Sequence, residues 1–326
     1  MNFLAALLML ALSMAAHAQS AATAHPHDAA GWLKRVYAAT QKLSYTGTFV
    51  YRQGDRSESS RVTRLVDASG DTEKLESLDG EPREIVRKGD EVKCYLPDSM
   101  TIKVDRRTDR RSFPSLLPAQ ISSLSENYTL SKAETARVAG YECQAIVLTP
   151  KDEFRYGYKL WADVATGMPL KAKIFNEKGE TVEEFTFTQL TIGGNIDRER
   201  LKPRRYAKGK EWRIENASVV PTSLADSGWT VRPDLPGFQK VVEVRRKLRE
   251  SRPVAQIVYS DGLAAVSVFI ESMEGRSEPV HAGLSSMGAI NIYTRELANH
   301  VVTVVGEAPA ASVRRIGNTV EFRRPQ

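Results

Sequence analysis

Residue types that commonly carry chemistry are few and scattered in this chain. Beyond residues 1–18 there are four histidines: His25, His27, His281 and His300. His25 and His27 make an H-P-H pair in a small, polar leader, which is a weak metal signal by itself. His281 and His300 stand in different segments near the C-terminus. The stretch GLSSMG, 283–288, approaches the elbow that presents a nucleophilic serine, but its first glycine is misplaced and it reads as a Gly/Ser loop. No Gly-rich phosphate loop, dinucleotide fingerprint or convincing pair of acid–base carboxylates appears. The expectation is a protein that is not an enzyme, with no catalytic residue, no metal and no cofactor.

Two cysteines remain, Cys94 in EVKCYL and Cys143 in YECQAIVL. They are too few for a zinc site. An oxidising compartment would permit a disulfide between them, and the sequence leaves a bridge and two buried thiols both open.

The N-terminus points to such a compartment. Phe3 to Met14 is apolar and Ala16-His17-Ala18 supplies a small-x-small cleavage pattern, so residues 1–18 read as a signal peptide. The run falls short of the ~20 apolar residues that span a bilayer. No cysteine follows the site, which argues against a lipoprotein. An exported, periplasmic product is expected.

Charge is concentrated in one place. RERLKPRRYAKGKEWR, 198–213, holds eight basic residues against Glu199 and Glu211, which accounts for the whole formal charge of +6. Export removes nucleic acid as the natural partner of such a strip. Acidic protein segments and lipid phosphates remain.

The elements that must position these groups are mostly strands. After a flexible leader, 19–28, AAGWLKRVYAATQKL repeats apolar residues at helical spacing. The period then becomes two: YTGTFVYR, RVTRLVD, REIVRKG, EVKCYLP and SMTIKVD, separated by Gly, Asp, Ser and Pro punctuation. SFPSLLPAQISSLSENYTL, 112–130, interrupts them with Leu116, Leu117, Ile121, Leu124 and Tyr128 at helical spacing. Strands resume through LWADVATGMPLKAKIF, which turns at Ala165-Thr166-Gly167, and TVEEFTFTQLTI. Half-apolar strands of this kind argue for a curved antiparallel sheet with one dry side. That side is either packed by the helices or left as a lipid pocket.

A second composition begins after the basic segment. WTVRPDLPGFQKVVEVRRKL, PVAQIVYSDGLAAVSVFIE, GAINIYTREL and NHVVTVVGEAP read as strands with a hairpin at Asp261-Gly262, followed by a short helix near 309–316 and a last strand. The division expected is a half-barrel domain over 29–205, a basic linker over 206–221 and a small α+β domain over 222–326.

Three motifs of the small domain, W-T-V-x-x-x-L-P-G-F (229–238), VYSDGLAAVSVFIE (258–271) and NHVVTVVGEAP (299–309), together with LSYTGTFVYRQGD (43–55), resemble the MucB/RseB family of regulators of envelope-stress sigma factors. The 160–175 hairpin is also similar to lipoprotein carriers of the LolA type. The resemblance implies an α+β protein: a large unclosed antiparallel barrel with helices in its concavity, then a smaller antiparallel α+β domain. It further implies a periplasmic protein that binds the periplasmic segment of an RseA/MucA-type anti-sigma factor and shields it from the first regulatory protease. A lipid or lipopolysaccharide fragment would loosen that grip. A lipid or lipoprotein carrier is the rival, though a carrier has no need of 222–326.

From the inferred dry faces, the expected ligand walls are Phe49, Tyr51, Leu65, Val86 and Leu96, with Leu117, Ile121 and Leu124 from the inserted helix. For the partner, low charge on the 257–270 hairpin suggests an exposed edge with Tyr259, Leu263 and Val268, and Arg204 and Arg205 suit an acidic peptide. The sequence leaves open a homo-oligomer.

Overall fold

The computed structural model describes residues 28–106, 113–204, 211–217, 219–249, 252–276 and 279–324. The expected signal peptide, His25, His27 and Arg205 lie outside the described residues.

Helix α1 (Ala29–Lys42) starts where Asp28 accepts a hydrogen bond from the Gly31 N–H at 2.6 Å and so satisfies one of the amides a helix start leaves open. Trp32, Leu33, Val36 and Ala39 form its buried stripe. Strands follow as β1 (Tyr45–Gln53), β2 (Arg56–Asp67), β3 (Gly70–Ser77), β4 (Glu84–Lys88), β5 (Glu91–Leu96) and β6 (Thr101–Arg106). The expected insertion supplies only a short helix, α2 (Ile121–Asn127), because Tyr128 already opens β7 (Tyr128–Val138). Then come β8 (Tyr141–Pro150), β9 (Gly157–Asp163), β10 (Pro169–Phe175), β11 (Thr181–Ile192) and β12 (Arg213–Asn216).

These twelve strands make one sheet in the order β12-β6-β5-β4-β3-β2-β1-β11-β10-β9-β8-β7. Neighbours are antiparallel except β12, which adds to β6 in parallel. Residues 213–216, expected within the linker, therefore extend the large sheet. The sheet is strongly curled: the Tyr141 hydroxyl reaches the Leu190 carbonyl at 3.0 Å although β9 and β10 stand between their strands. The β9–β10 turn is held by Asp163, whose carboxylate accepts from the Thr166 amide at 2.8 Å and its hydroxyl at 2.6 Å.

Seven strands form the second sheet: β13 (Val219–Pro221), β15 (Gln239–Arg249), β16 (Arg252–Ser260), β17 (Ala265–Ser272), β18 (Gly283–Met287), β19 (Ile290–Leu297) and β20 (His300–Gly306). Their order is β13-β15-β16-β17-β20-β19-β18, antiparallel throughout. Helix α3 (Ala310–Asn318) covers one face with Val313 and Ile316, both fully buried. The pair β14 (Trp229–Thr230) and β21 (Glu321–Phe322) closes the domain. There His300 packs its ring 5.0 Å from Trp229, a structural place for a histidine.

The structure decides one open alternative, the cysteines, and overturns one expectation, the 283–288 loop. Cys94 lies on β5 and Cys143 on β8, with seven strands between them in the sheet order. Adjacent strands are ~4.8 Å apart, and a disulfide needs Cα atoms within about 7 Å. Both thiols are free, and burial pushes that of Cys143 up to about 12. GLSSMG is not a loop: residues 283–287 are β18, an outermost strand of the small sheet.

Candidate functional site

The inner face of the large sheet, on which the helices lie, gathers an aromatic cluster. Alternation on β1 puts Tyr45, Gly47, Phe49 and Tyr51 on that face, and the β1–β11 register sets Phe49 opposite Phe187 and Tyr51 opposite Phe185. Phe113, from the segment before α2, stacks on Phe185 with ring centroids 5.3 Å apart and meets Phe49 at 5.6 Å and Phe187 at 5.2 Å. Gly47 is required at its position. A Cβ there would come within 2.6 Å of the Gln189 carbonyl oxygen and 2.8 Å of the Phe187 ring.

Phe49, Leu117, Ile121 and Leu124 are therefore brought together in one buried cluster, with Tyr51 packed at its margin. Leu96 shares their face but sits half-buried four strands from β1. Leu65 and Val86 do not join them. The registers pair Gly47 with Val62 and Tyr45 with Arg64, so Thr63 and Leu65 point outward. Val62 then pairs with Leu75 and Leu75 with Ile85, which turns Val86 outward too. Burial of Arg64 on the inner face, at 4% exposure, breaks the alternation from which those positions were read.

The outer face is sealed by a different chemistry. The chain leaving β11 crosses β2 and β3 as a 3-10 turn, Arg198–Leu201, and continues to Arg204. Beneath it the Lys74 ammonium, wholly buried, donates to the Lys202 carbonyl at 2.8 Å and lies 3.2 Å from Glu76 and 3.5 Å from Glu84. Glu84 also accepts from the Arg204 amide at 2.8 Å. Arg204 thus lies along this crossing, where its backbone does the binding. Part of the basic strip is a strap on the sheet, not a solvated linker.

The two domains meet at a buried ion pair. Asp261, in the turn between β16 and β17, uses one carboxylate oxygen to fix its own turn, accepting from the Leu263 and Ala264 amides at 2.9 and 2.8 Å. Its other oxygen takes the Arg155 guanidinium at 3.0 Å and the Tyr128 hydroxyl at 3.3 Å. Both side chains of the ion pair are fully buried. Arg155, between β8 and β9, also bonds Asp152 at 3.0 Å and the Pro236 carbonyl, with its guanidinium over the rings of Phe238 and Tyr128. Burial raises the Tyr128 hydroxyl well above its ordinary value, helped by the neighbouring Tyr158 and the Asp261 charge. Gly237 keeps a positive φ of 73°, and a Cβ on it would strike Asn127 of the large domain.

A second contact lies nearer the aromatic cluster. Ala289, between β18 and β19, is fully buried and belongs to the core of the large domain. Glu183 of β11 accepts from Gln53 at 3.0 Å and from the Ala289 amide at 3.4 Å. It also hydrogen-bonds Tyr51, whose hydroxyl is pushed upward by burial and by that carboxylate. Asn291 donates to the Tyr156 hydroxyl at 2.9 Å.

The expected partner hairpin takes another role. β16 and β17 are interior strands, paired on both sides, and offer no free edge. Tyr259 and Val268 are core, at 3% and 0% exposure, and Leu263 packs against the large domain. Arg155, Asp261, Lys74 and Glu84 were missed as site residues. Asp261 was legible as a turn former, but no local pattern marks a charge that is buried by a distant segment.

Comparison with known proteins matches this two-part architecture. The model of the MucB/RseB N-terminal domain matches residues 28–205 and that of the MucB/RseB C-terminal domain residues 223–321. The chain is 33% identical to the sigma factor AlgU regulatory protein MucB of Pseudomonas aeruginosa, over 96% of each chain. It is 28% identical to the sigma-E factor regulatory protein RseB of Escherichia coli K12, over 90% of this chain and 91% of that one. Among solved structures it resembles MucB in complex with MucA(peri), with a TM-score of 0.69 and 30% identity over 91% of this chain and 100% of the other. Crystalline MucB by itself gives a TM-score of 0.66 at 28% identity, over 90% and 98%. With both domain models matched in order along a fold that agrees, the chain belongs to the MucB/RseB family.

Proposed function

We propose that this protein holds the periplasmic segment of a MucA/RseA-type anti-sigma factor, shields it from the first regulatory protease, and lets go when a lipid or lipopolysaccharide fragment enters the large domain. The family is one of regulators and not of enzymes, and its members work in the periplasm. In this reading residues 29–205, joined by β12 (Arg213–Asn216), sense lipid as an unclosed half-barrel of the lipid-carrier kind, and 222–326, joined by β13 (Val219–Pro221), carry the partner.

The observation that supports it most is the seam. A ligand changes an equilibrium only by its difference in affinity between two states. Ala289 and Asp261 reach into the large domain beside the aromatic cluster and Tyr128. A ligand that moves the cluster therefore acts on small-domain residues directly. Phe113, Leu117, Ile121 and Leu124 lie buried against the inner face, so an acyl chain that reaches it there displaces that segment.

Proteolysis of the cognate anti-sigma periplasmic fragment by its site-1 protease tests this. The full-length protein should protect the fragment, and added lipopolysaccharide should restore cleavage. Cleavage at an unchanged rate in the presence of the protein would remove the regulator reading. Protection that persists at saturating lipopolysaccharide would remove its sensing half.

A further inference from the structure

The two sheets present four outermost strands, and three of them are guarded against further pairing. β7 carries Lys132, Glu134 and Arg137 and breaks register between Lys132 and Thr135. β12 has four residues, with Arg213 and Glu215 ion-paired. β13 has three and ends in Pro221, which has no N–H to donate. Charges, irregularity, shortness and proline are the usual means of blunting an edge. β18 has no proline, no charge and no register break, and its one backbone departure is Gly283 at its start, with a φ of 114°. Its five residues are all exposed, no charged residue occurs from Ala282 to Tyr293, and among the described residues its single strand partner is β19. Leu284 and Met287 stand at 36% and 50% exposure.

Near the start of this edge lies a cavity of about 410 Å³ whose lining joins Val280, His281, Thr294 and Thr303 to the ion-paired Glu271 and Arg276. Gly283 pairs with Thr294, so both point to one side of the sheet, and nothing stands within 4 Å of where a Gly283 Cβ would be. A strand added alongside β18 would turn the side chain next to Gly283 toward that cavity. Edge pairing supplies main-chain hydrogen bonds, and a flanking pocket supplies choice of side chain.

We infer that β18 is where an extended, uncharged stretch of the anti-sigma periplasmic segment adds as an eighth strand, placing one side chain in the cavity beside Gly283. This rests on the regulator reading above and names its contact. The occupant follows from what anchors the strand. Gln53 donates to the Met287 carbonyl at 3.3 Å and to Glu183, and Glu183 meets Tyr51, whose ring lies 4.7 Å from Phe185. A grip that yields to changes in the aromatic cluster has to be made where the contacts of the cluster end. β18 is the free edge anchored there.

The test is amide hydrogen exchange of the full-length protein, alone and with the cognate anti-sigma periplasmic fragment. Within 283–287, the amides that do not bond to β19 should exchange quickly in the free protein and slow at least tenfold in the complex. Proline variants Leu284→Pro and Ser285→Pro give a second readout, because consecutive strand amides point to opposite sides. The variant that removes the outward donor should weaken fragment binding at least tenfold with an unchanged thermal midpoint. Its neighbour should lower the midpoint. A complex that forms while 283–287 exchange as before would overturn the proposal and leave the regulator reading intact. Slowing that depends on protein concentration without fragment would give the edge to a second copy of this chain, and also overturn it. Absence of any complex would instead defeat the regulator reading.

Discussion

The aromatic cluster on the inner face of the large sheet and the strap on its outer face are closed by opposite means. Phe49, Phe113, Phe185 and Phe187 meet by ring contacts, while charge on the inner face is gathered at Arg64, Glu73 and Arg87 beside Tyr45. On the outer face a strap of backbone is held down by Lys74 between two carboxylates. Apolar contact is non-directional and can re-form around a different occupant. A buried charge must keep its partners, because desolvation makes every alternative expensive. The aromatic cluster is thus the part of the inner face that can exchange its filling, and the outer face holds the chain leaving the sheet in one place. The domain seam uses the second device: Asp261 and Arg155 leave little room for partial separation.

The comparison can be broken most severely on the outer face. Lys74→Ala strands Glu76 and Glu84 without their cation and should cost about 3–5 kcal/mol. Urea unfolding is the measurement, and combining Lys74→Met with Glu84→Gln should recover much of the loss. A Lys74→Ala protein within 1 kcal/mol (about a fivefold change in equilibrium constant) of wild type would show that the strap is not held by charge.

In the aromatic cluster of the inner face only volume should matter. Phe113→Ala should cost about 3 kcal/mol by the cavity it opens, whereas Phe113→Leu should cost roughly 1–1.5 kcal/mol. The same unfolding curves decide it, and equal costs for the two would mean that the stacked ring geometry, not filling, holds the segment.

Titration gives a smaller effect with a defined sign. The Cys143 thiol is held protonated in the fold, up to about 12, by burial and by the Asp163 charge. The unfolded chain ionises first, so its stabilisation is complete below pH ~9 and declines as pH rises toward 12, by at most ~1.4 kcal/mol per unit. Cys143→Ala should flatten the slope of stability against pH across that window relative to wild type. Identical slopes would count against a buried thiol.

Least affected should be the exposed end of the strap. Arg198, 64% exposed and paired with Asp67, should cost no more than about 1 kcal/mol when replaced by alanine, and less in high salt. A thermal melt at two ionic strengths is sufficient to check it.

Legibility followed the hydrophobic period. Tyr45 to Tyr51 alternate in the sequence as on the inner face, and Phe49 was rightly assigned there. Leu65 and Val86 were misplaced because VTRLV and EIVRK hold apolar residues at adjacent positions, and the side chain turned inward beside Val62 is Arg64. The 257–270 hairpin was correct as a hairpin and mistaken as an edge, since β20 pairs with β17 from 35 residues downstream and β15 covers β16. β18 was mistaken for a loop because Gly and Ser carry weak strand preference, which pairing with β19 overrides.

What the sequence determined by itself was the succession of helix and strands, the two domains and the family motifs. All of these depend on residues near one another in the chain, where period, turn chemistry and local composition act directly. Strand order decided the rest: which cysteines could meet, which hairpin lay inside the sheet, where an unguarded edge remained, and which charges were buried with a partner. Those outcomes depend on contacts such as Arg155 with Asp261 and Lys74 with Lys202. Pairs separated by more than a hundred residues leave no periodic trace in the sequence, because it is the folded chain that takes both charges out of water together.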